Sequence, residues 1–115
     1  MDECVFCKIV NGTSKARVVY QDAQATVFHD LHPVAPIHLL IVPNRHIDSV
    51  NALEETDTLL AGHLLLVAQR VAAQMDLAAG GYRLIINTGP DGGQTVFHLH
   101  LHLLGGRRMR FLVGD

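Results

Sequence analysis

The apolar positions change their period along the chain, and each change marks an element. Between Val18 and Leu31 two β-rich stretches, Val18–Tyr20 and Ala25–Phe28, flank the tetrapeptide Gln21-Asp22-Ala23-Gln24. Two short β-prone runs joined by turn-forming residues predict a hairpin. His38–Val42 is a short apolar run bounded by Pro36 and Pro43. Proline lacks the donor a central ladder uses, so these residues mark its limits as a strand. From Asn51 onward the spacing lengthens. Leu60, Leu64, Val67, Val71 and Met75 recur at three- and four-residue steps, which places them on one helical face. Asn51 with Glu54 supplies the pattern of a capping box at the start of this helix. Gly80-Gly81 predicts its end, because glycine accepts the left-handed conformation found there. Tyr82–Asn87 and Thr95–Leu104 predict two further strands, the second closed by Gly105-Gly106. With a short N-terminal helix, the expected class is α+β: a mostly antiparallel five-stranded sheet with one long helix packed on it.

Composition narrows the field. The 115 residues carry nine Lys and Arg against eleven Asp and Glu, a formal charge of −2. At about 150 residues per domain, this length predicts a single domain over residues 1–115. Such a chain buries roughly 65% of its unfolded surface, enough for a core without disulfide staples. A hydrophobic share of 49% against 17% charged residues excludes a disordered chain. A mildly acidic protein has no global field for nucleic acid, and Arg107, Arg108 and Arg110 form only a local cluster. The apolar runs, such as Leu64–Ala68, fall far short of the roughly 18 residues of a membrane span. Asp2, Glu3 and Lys8 do not make the basic stub and apolar core of a signal peptide. Two cysteines without an export signal read as reduced thiols, and the expected location is the cytoplasm.

Histidine is the compositional anomaly. Three of the eight histidines stand in Val96-Phe97-His98-Leu99-His100-Leu101-His102-Leu103-Leu104. In a strand the side chains alternate, so His98, His100 and His102 line one face and the leucines the other. The leucines suit a core. Buried imidazoles each need partners for a donor and an acceptor, and their free pKa near 6.5 suits them to acid–base or nucleophilic work. Immediately upstream, Asn87-Thr88-Gly89-Pro90-Asp91-Gly92-Gly93-Gln94-Thr95 reads as a turn between strands. Its glycines also allow backbone N–H groups to approach an anion. Because this loop feeds the histidine strand, donors and imidazoles converge, and phosphorus chemistry is the natural expectation.

The run His-φ-His-φ-His-φ-φ, with φ apolar, resembles the signature of the histidine triad (HIT) superfamily of nucleotidyl hydrolases and transferases. Its surroundings, Asp91 to Arg107, are similar to the Hint branch. The resemblance extends to Cys4–Val10, Phe28–Pro33 and His38–Pro43. It implies a purine nucleoside 5′-phosphoramidate hydrolase, acting on adenosine 5′-monophosphoramidate or AMP-lysine-type conjugates. It makes His100 the nucleophile that forms a covalent nucleotidyl-histidine, splitting one displacement into two. His38 matches the supporting histidine of the neighbouring strand, and His102 the phosphate-contacting histidine. Thr95 stands where vertebrate relatives have serine and keeps the hydroxyl for the leaving group. Asn87, Gly93, Gln94 and Thr95 fall in the phosphate and ribose neighbourhood, and Phe28, Asp30 and Leu31 in the base and ribose pocket. By residue type alone Phe28 and Leu31 are core residues and Asp30 a turn residue.

Cys4-x-x-Cys7 is compatible with a small buried pair, a redox dithiol or half of a zinc site. A structural zinc needs four ligands, and the resemblance supplies His46 and His98 as the other two. No catalytic metal or organic cofactor is implied. The resemblance further implies a homodimer in which the long helix and Tyr82–Asn87 meet their twins, with the tail beyond Gly106, Phe111 above all, near the partner's site. His29, His32 and His63 receive no role. Two other activities are open to the sequence: dinucleoside polyphosphate hydrolysis of the Fhit type, and a zinc-stabilised nucleotide-binding or interaction module with little catalysis.

Overall fold

A computed structural model of the chain describes residues 3–110; Phe111 lies outside them. The elements are helix α1 (Val5–Val10), strands β1 (Val18–Gln21), β2 (Ala25–His29) and β3 (Ile37–Pro43), helix α2 (Thr58–Gln74), and strands β4 (Arg83–Ile86) and β5 (Leu101–Gly105). The five strands form one antiparallel sheet in the order β1-β2-β3-β5-β4. The α+β class, the hairpin, the sheet and both helices stand as the sequence predicts.

The sheet has two unlike faces. Ala25 and Val27 of β2, Leu39 and Ile41 of β3, and Leu101 and Leu103 of β5 point toward α2, where they pack on Leu64, Val67, Ala68, Val71 and Ala72. The predicted helical stripe is the buried one, with Leu60 and Met75 at its ends. The opposite face is smaller. Phe28, Leu40 and Val42 pack there against Phe6 and Ile9 of α1. Strand β3 is covered on both faces, which explains its unbroken apolar run.

Three boundaries depart from expectation. Asn51 does not cap α2, because Ser49 is captured first: its hydroxyl accepts the Asn51 N–H at 3.2 Å and starts a separate 3₁₀ turn, Val50–Ala52. Leu53 is then extended (φ −69°, ψ 143°). A second turn, Glu55–Asp57, leads into α2, with the Asp57 carboxylate accepting the Glu54 N–H at 2.9 Å. At the other end α2 stops well before Gly80. Asp76 takes the left-handed conformation (φ 60°), and the Leu77 N–H reaches back to the Ala72 carbonyl at 2.9 Å. Aspartate is one of the few residues that tolerates this conformation.

The last correction concerns the histidine strand. The ladder begins at Leu101 rather than Thr95. Residues 95–100 have lost their partners to other groups: the Pro43 carbonyl accepts from His98 Nε2 at 2.8 Å, and the Leu99 N–H donates to the Ile47 carbonyl at 2.6 Å. Pro43 has no N–H with which to extend the pairing. The alternation survives without the ladder. Leu99 joins Leu101 and Leu103 in the α2-facing core, and all three histidines turn the other way.

Candidate active site

A cavity of about 290 Å³ opens on the face opposite α2. Apolar walls come from Val5, Phe6, Ile9, Phe28 and Leu40, and the polar groups are Asp30, Thr95, His100 and His102, with Lys15, His29 and His32 contributing to the lining. Phe28 is buried, whereas Leu31, a core residue by type, is 82% exposed at the cavity and available to a ligand.

The hydrogen bonds fix the state of each imidazole, because a carbonyl can only accept and an amide N–H can only donate. His100 is 5% exposed and its Nδ1 lies 2.7 Å from the His98 carbonyl. Nδ1 therefore carries the proton, and Nε2 keeps a lone pair for the cavity that His100 lines. The Phe6 ring stands edge-on to it, at 5.1 Å between centroids and 88° between planes. His38 has the opposite tautomer. Its Nδ1 accepts the Val34 N–H at 3.1 Å, so the proton is on Nε2. That N–H faces His102 Nδ1 at 2.9 Å and the Asp30 carboxylate at 3.3 Å. His102, having accepted at Nδ1, carries its own proton on Nε2. Burial, then His100 and His38, lower the His102 pKa to about 4, against a smaller opposing effect of Asp30. Burial likewise lowers His38, with Asp30 opposing. At neutral pH both are neutral imidazoles. Asp30 itself is oriented by the His32 N–H, which donates to its Oδ1 at 2.8 Å.

Of the predicted site residues, His38, His100, His102, Thr95, Phe28, Asp30 and Leu31 come together here. Asn87, Gly93 and Gln94 are not on the cavity wall. Asn87 Nδ2 donates to the Gly92 carbonyl at 2.8 Å, and Gly93 turns the loop at φ 81°. The Gln94 side chain is buried and occupied. Its Oε1 accepts the Gly89 N–H, and its Nε2 donates to the Asp48 and Val96 carbonyls. Asn87 and Gln94 hold the loop in shape through their side chains, and Gly93 does so through its backbone conformation. The sequence reading missed Phe6 and Val34. Phe6 was visible as the apolar residue between the two cysteines, whereas the Val34 contribution is a backbone amide and leaves no mark in residue type.

Cys4, Cys7, His46 and His98 converge separately, with their donor atoms all within 4.8 Å of one another. Cys4 Sγ is 3.3 Å and Cys7 Sγ 3.6 Å from His98 Nδ1, and Cys7 Sγ is 3.4 Å from His46 Nδ1. In a tetrahedral zinc site the Zn–S and Zn–N lengths separate sulfur and nitrogen by about 3.5 Å. Both histidines donate Nε2–H elsewhere, His98 to the Pro43 carbonyl and His46 to Asp48 at 2.7 Å. Each therefore presents a lone pair at Nδ1, oriented by an outer hydrogen bond as metal-binding histidines are. The four residues could hold a metal ion. Burial and Cys4 raise the Cys7 thiol pKa.

Together, the antiparallel sheet, the covering helix and the clustered imidazoles define a histidine triad protein. Residues 11–109 match the HIT domain, and the chain belongs to this family; its broad activity class is hydrolase. It is 44% identical over 106 residues to the purine nucleoside phosphoramidase of Escherichia coli (strain K12), covering 92% of this chain and 89% of that protein. A HIT-like protein of Synechococcus elongatus is 46% identical over 98% of both chains. Among solved structures, a HIT family hydrolase from Legionella pneumophila is 44% identical and superposes with a TM-score of 0.94, covering 97% of this chain and all of that one. Cys4 and Cys7 precede the matched region.

Proposed function

We propose that the protein hydrolyses purine nucleoside 5′-phosphoramidates through a nucleotidyl intermediate on His100. The observation that carries this reading is the hydrogen bond from His100 Nδ1 to the His98 carbonyl. It leaves Nε2 as the nucleophilic nitrogen beside a nucleotide-sized cavity whose polar groups gather at His100 and His102. In the first step the Nε2 lone pair forms a bond to the α-phosphorus as the P–N bond to the amine breaks. The leaving nitrogen takes up a proton from solvent water and departs as the free amine past the Thr95 hydroxyl. His102 Nε2–H donates to a non-bridging oxygen, where negative charge develops. In the second step water attacks the same phosphorus as the bond to His100 Nε2 breaks, the water's proton returns to solvent, the nucleoside monophosphate leaves and His100 is regenerated. Phe28 and Leu31 embrace the base, and Asp30 accepts from the ribose hydroxyls. The loop held by Asn87, Gly93 and Gln94 borders the phosphate. The name of the Escherichia coli relative supports this choice of substrate.

Around this core the reading is of a cytoplasmic homodimer with one structural zinc ion per chain, held by Cys4, Cys7, His46 and His98. A closed Cys₂His₂ set leaves no position for substrate, so the ion would stabilise rather than react. No nucleic acid or membrane partner belongs to the proposal, and no helix among the described residues is long and apolar enough to cross a membrane.

The test is rapid-quench mass spectrometry after mixing with a slow adenosine phosphoramidate. A nucleotide-mass adduct on the peptide carrying His100 is expected, absent in His100→Gly together with turnover. Unchanged turnover in His100→Gly rules the mechanism out.

A further inference from the structure

The histidine pair is held from a direction that the proposed chemistry does not use. The tautomer of His38 is favoured at Nε2 by the Asp30 carboxylate, 3.3 Å away, and is fixed at Nδ1 by one backbone donor, the Val34 N–H at 3.1 Å. Val34 belongs to an exposed, proline-flanked stretch between β2 and β3, and its own side chain is 64% exposed. Apolar burial therefore does little to keep that amide in place. What holds it is the chain leaving β5. Arg107 donates from its guanidinium to the Val34 carbonyl at 3.2 Å and, less closely, to the Arg108 carbonyl at 3.4 Å. Just before it, Gly106 (φ 94°) passes so close to Pro36 that a Cβ there would lie 2.8 Å from the proline Cβ. Residue 34 is thus gripped on both sides: its N–H by His38 and its carbonyl by Arg107.

We infer that Arg107 is a positioning residue: it holds Val34 where the Val34 amide locks His38 in the Nε2–H tautomer, and through His38 it sets the orientation of His102. The sequence of contacts is short and directional. Arg107 donates to the Val34 carbonyl, the Val34 N–H donates to His38 Nδ1, and His38 Nε2–H donates to His102 Nδ1 at 2.9 Å. Without the amide, His38 Nδ1 can take the proton instead. Nε2 then faces His102 Nδ1 lone pair to lone pair, and the pair must rearrange. Burial keeps both rings neutral near pH 7, so a choice between tautomers is what the contact controls. The assignment of a catalytic consequence rests on the proposed phosphoramidase reading, whereas the tautomer does not.

The experiment uses the full chain, ¹⁵N-labelled at histidine, with two readouts: the His38 tautomer by long-range ¹H–¹⁵N correlation, and kcat and KM for adenosine 5′-phosphoramidate. In Arg107→Ala we expect the pyridine-type signal of His38 Nδ1 to give way to a mixture. We also expect kcat to fall by about tenfold with KM nearly unchanged, less than the roughly hundredfold that an ångström-scale misplacement can cost. Arg107→Lys, which keeps a single donor for the Val34 carbonyl, is expected to restore both readouts. Arg108→Ala removes a neighbouring charge without touching that contact and is expected to match the wild type. A pure Nε2–H signal for His38 in Arg107→Ala overturns the inference, as does an equal effect from Arg108→Ala. If the wild type turns over no phosphoramidate while the tautomer shifts as described, the functional reading fails and the positioning role stands.

Discussion

Burial and two neighbouring imidazoles hold His102 neutral down to about pH 4, whereas an unperturbed histidine takes up its proton near 6.5. Between these values the unfolded chain binds more protons than the fold, so stability rises with pH across the interval. The stability that His102 contributes is fully present above about pH 6.5, is lost progressively toward pH 4, and changes no further below. His38 and His98, both lowered chiefly by burial, act in the same direction. Urea unfolding at a series of pH values is expected to show falling midpoints over this window, with a shallower slope in His102→Gln. A variant slope equal to that of the wild type contradicts the assignment. At this scale the site was partly legible in advance. Imidazoles at alternate positions declare themselves by residue type, as do Asp30 and Thr95. The carbonyls of His98 and Pro43 and the amide of Val34 fix the tautomers of His100, His98 and His38, yet any residue could supply them.

At the level of elements, the period of α2 was readable because one side of it is buried, and packing enforces that side over all 17 residues. Its ends were not, because each was decided by one local competition: Ser49 against Asn51, and Asp76 against Gly80. The same holds for β5, whose ladder starts late because Pro43 ends its partner. The other side of α2 bears Leu59, Leu65 and Leu66, 87%, 53% and 52% exposed, and Ile86 on edge strand β4 is also exposed. Exposed apolar side chains mark association surfaces where they form a contiguous patch. If the proposed dimer uses this side of α2, Leu66→Glu is expected to halve the mass measured by light scattering while leaving the far-ultraviolet circular dichroism unchanged. A dimer that survives the substitution, at concentrations down to the micromolar range, places the interface elsewhere.

Across the whole molecule, the cluster of Cys4, Cys7, His46 and His98 joins the N-terminal helix to the segment that carries His100. An ion bound there only in the folded state stabilises that state by mass action. Purified protein is expected to contain one zinc per chain. Chelation, or the Cys4→Ser, Cys7→Ser double variant, is expected to lower Tm, by roughly 4–8 °C for each kcal/mol lost in a domain of about 100 residues. Chelation that leaves the Tm of the purified protein unchanged removes zinc from the account. Half of this set, the spaced cysteines, was suggestive in the sequence. The two histidines come from distant segments, and no local pattern connects them.

The strand order has a consequence for how the protein comes into being. Strand β5 is the last of the five to be made, yet it lies between β3 and β4, and among the described residues β4 pairs only with β5. As the chain leaves the ribosome, β1, β2 and β3 can zip together as a meander, while β4 waits and the free side of β3 stays open. Only when residues 101–105 emerge can the gap be filled, by a segment that brings the His102 imidazole with it. A nascent chain is thus most vulnerable to edge-to-edge aggregation just before β5 emerges, and the His38–His102 pair assembles in the same event that closes the sheet.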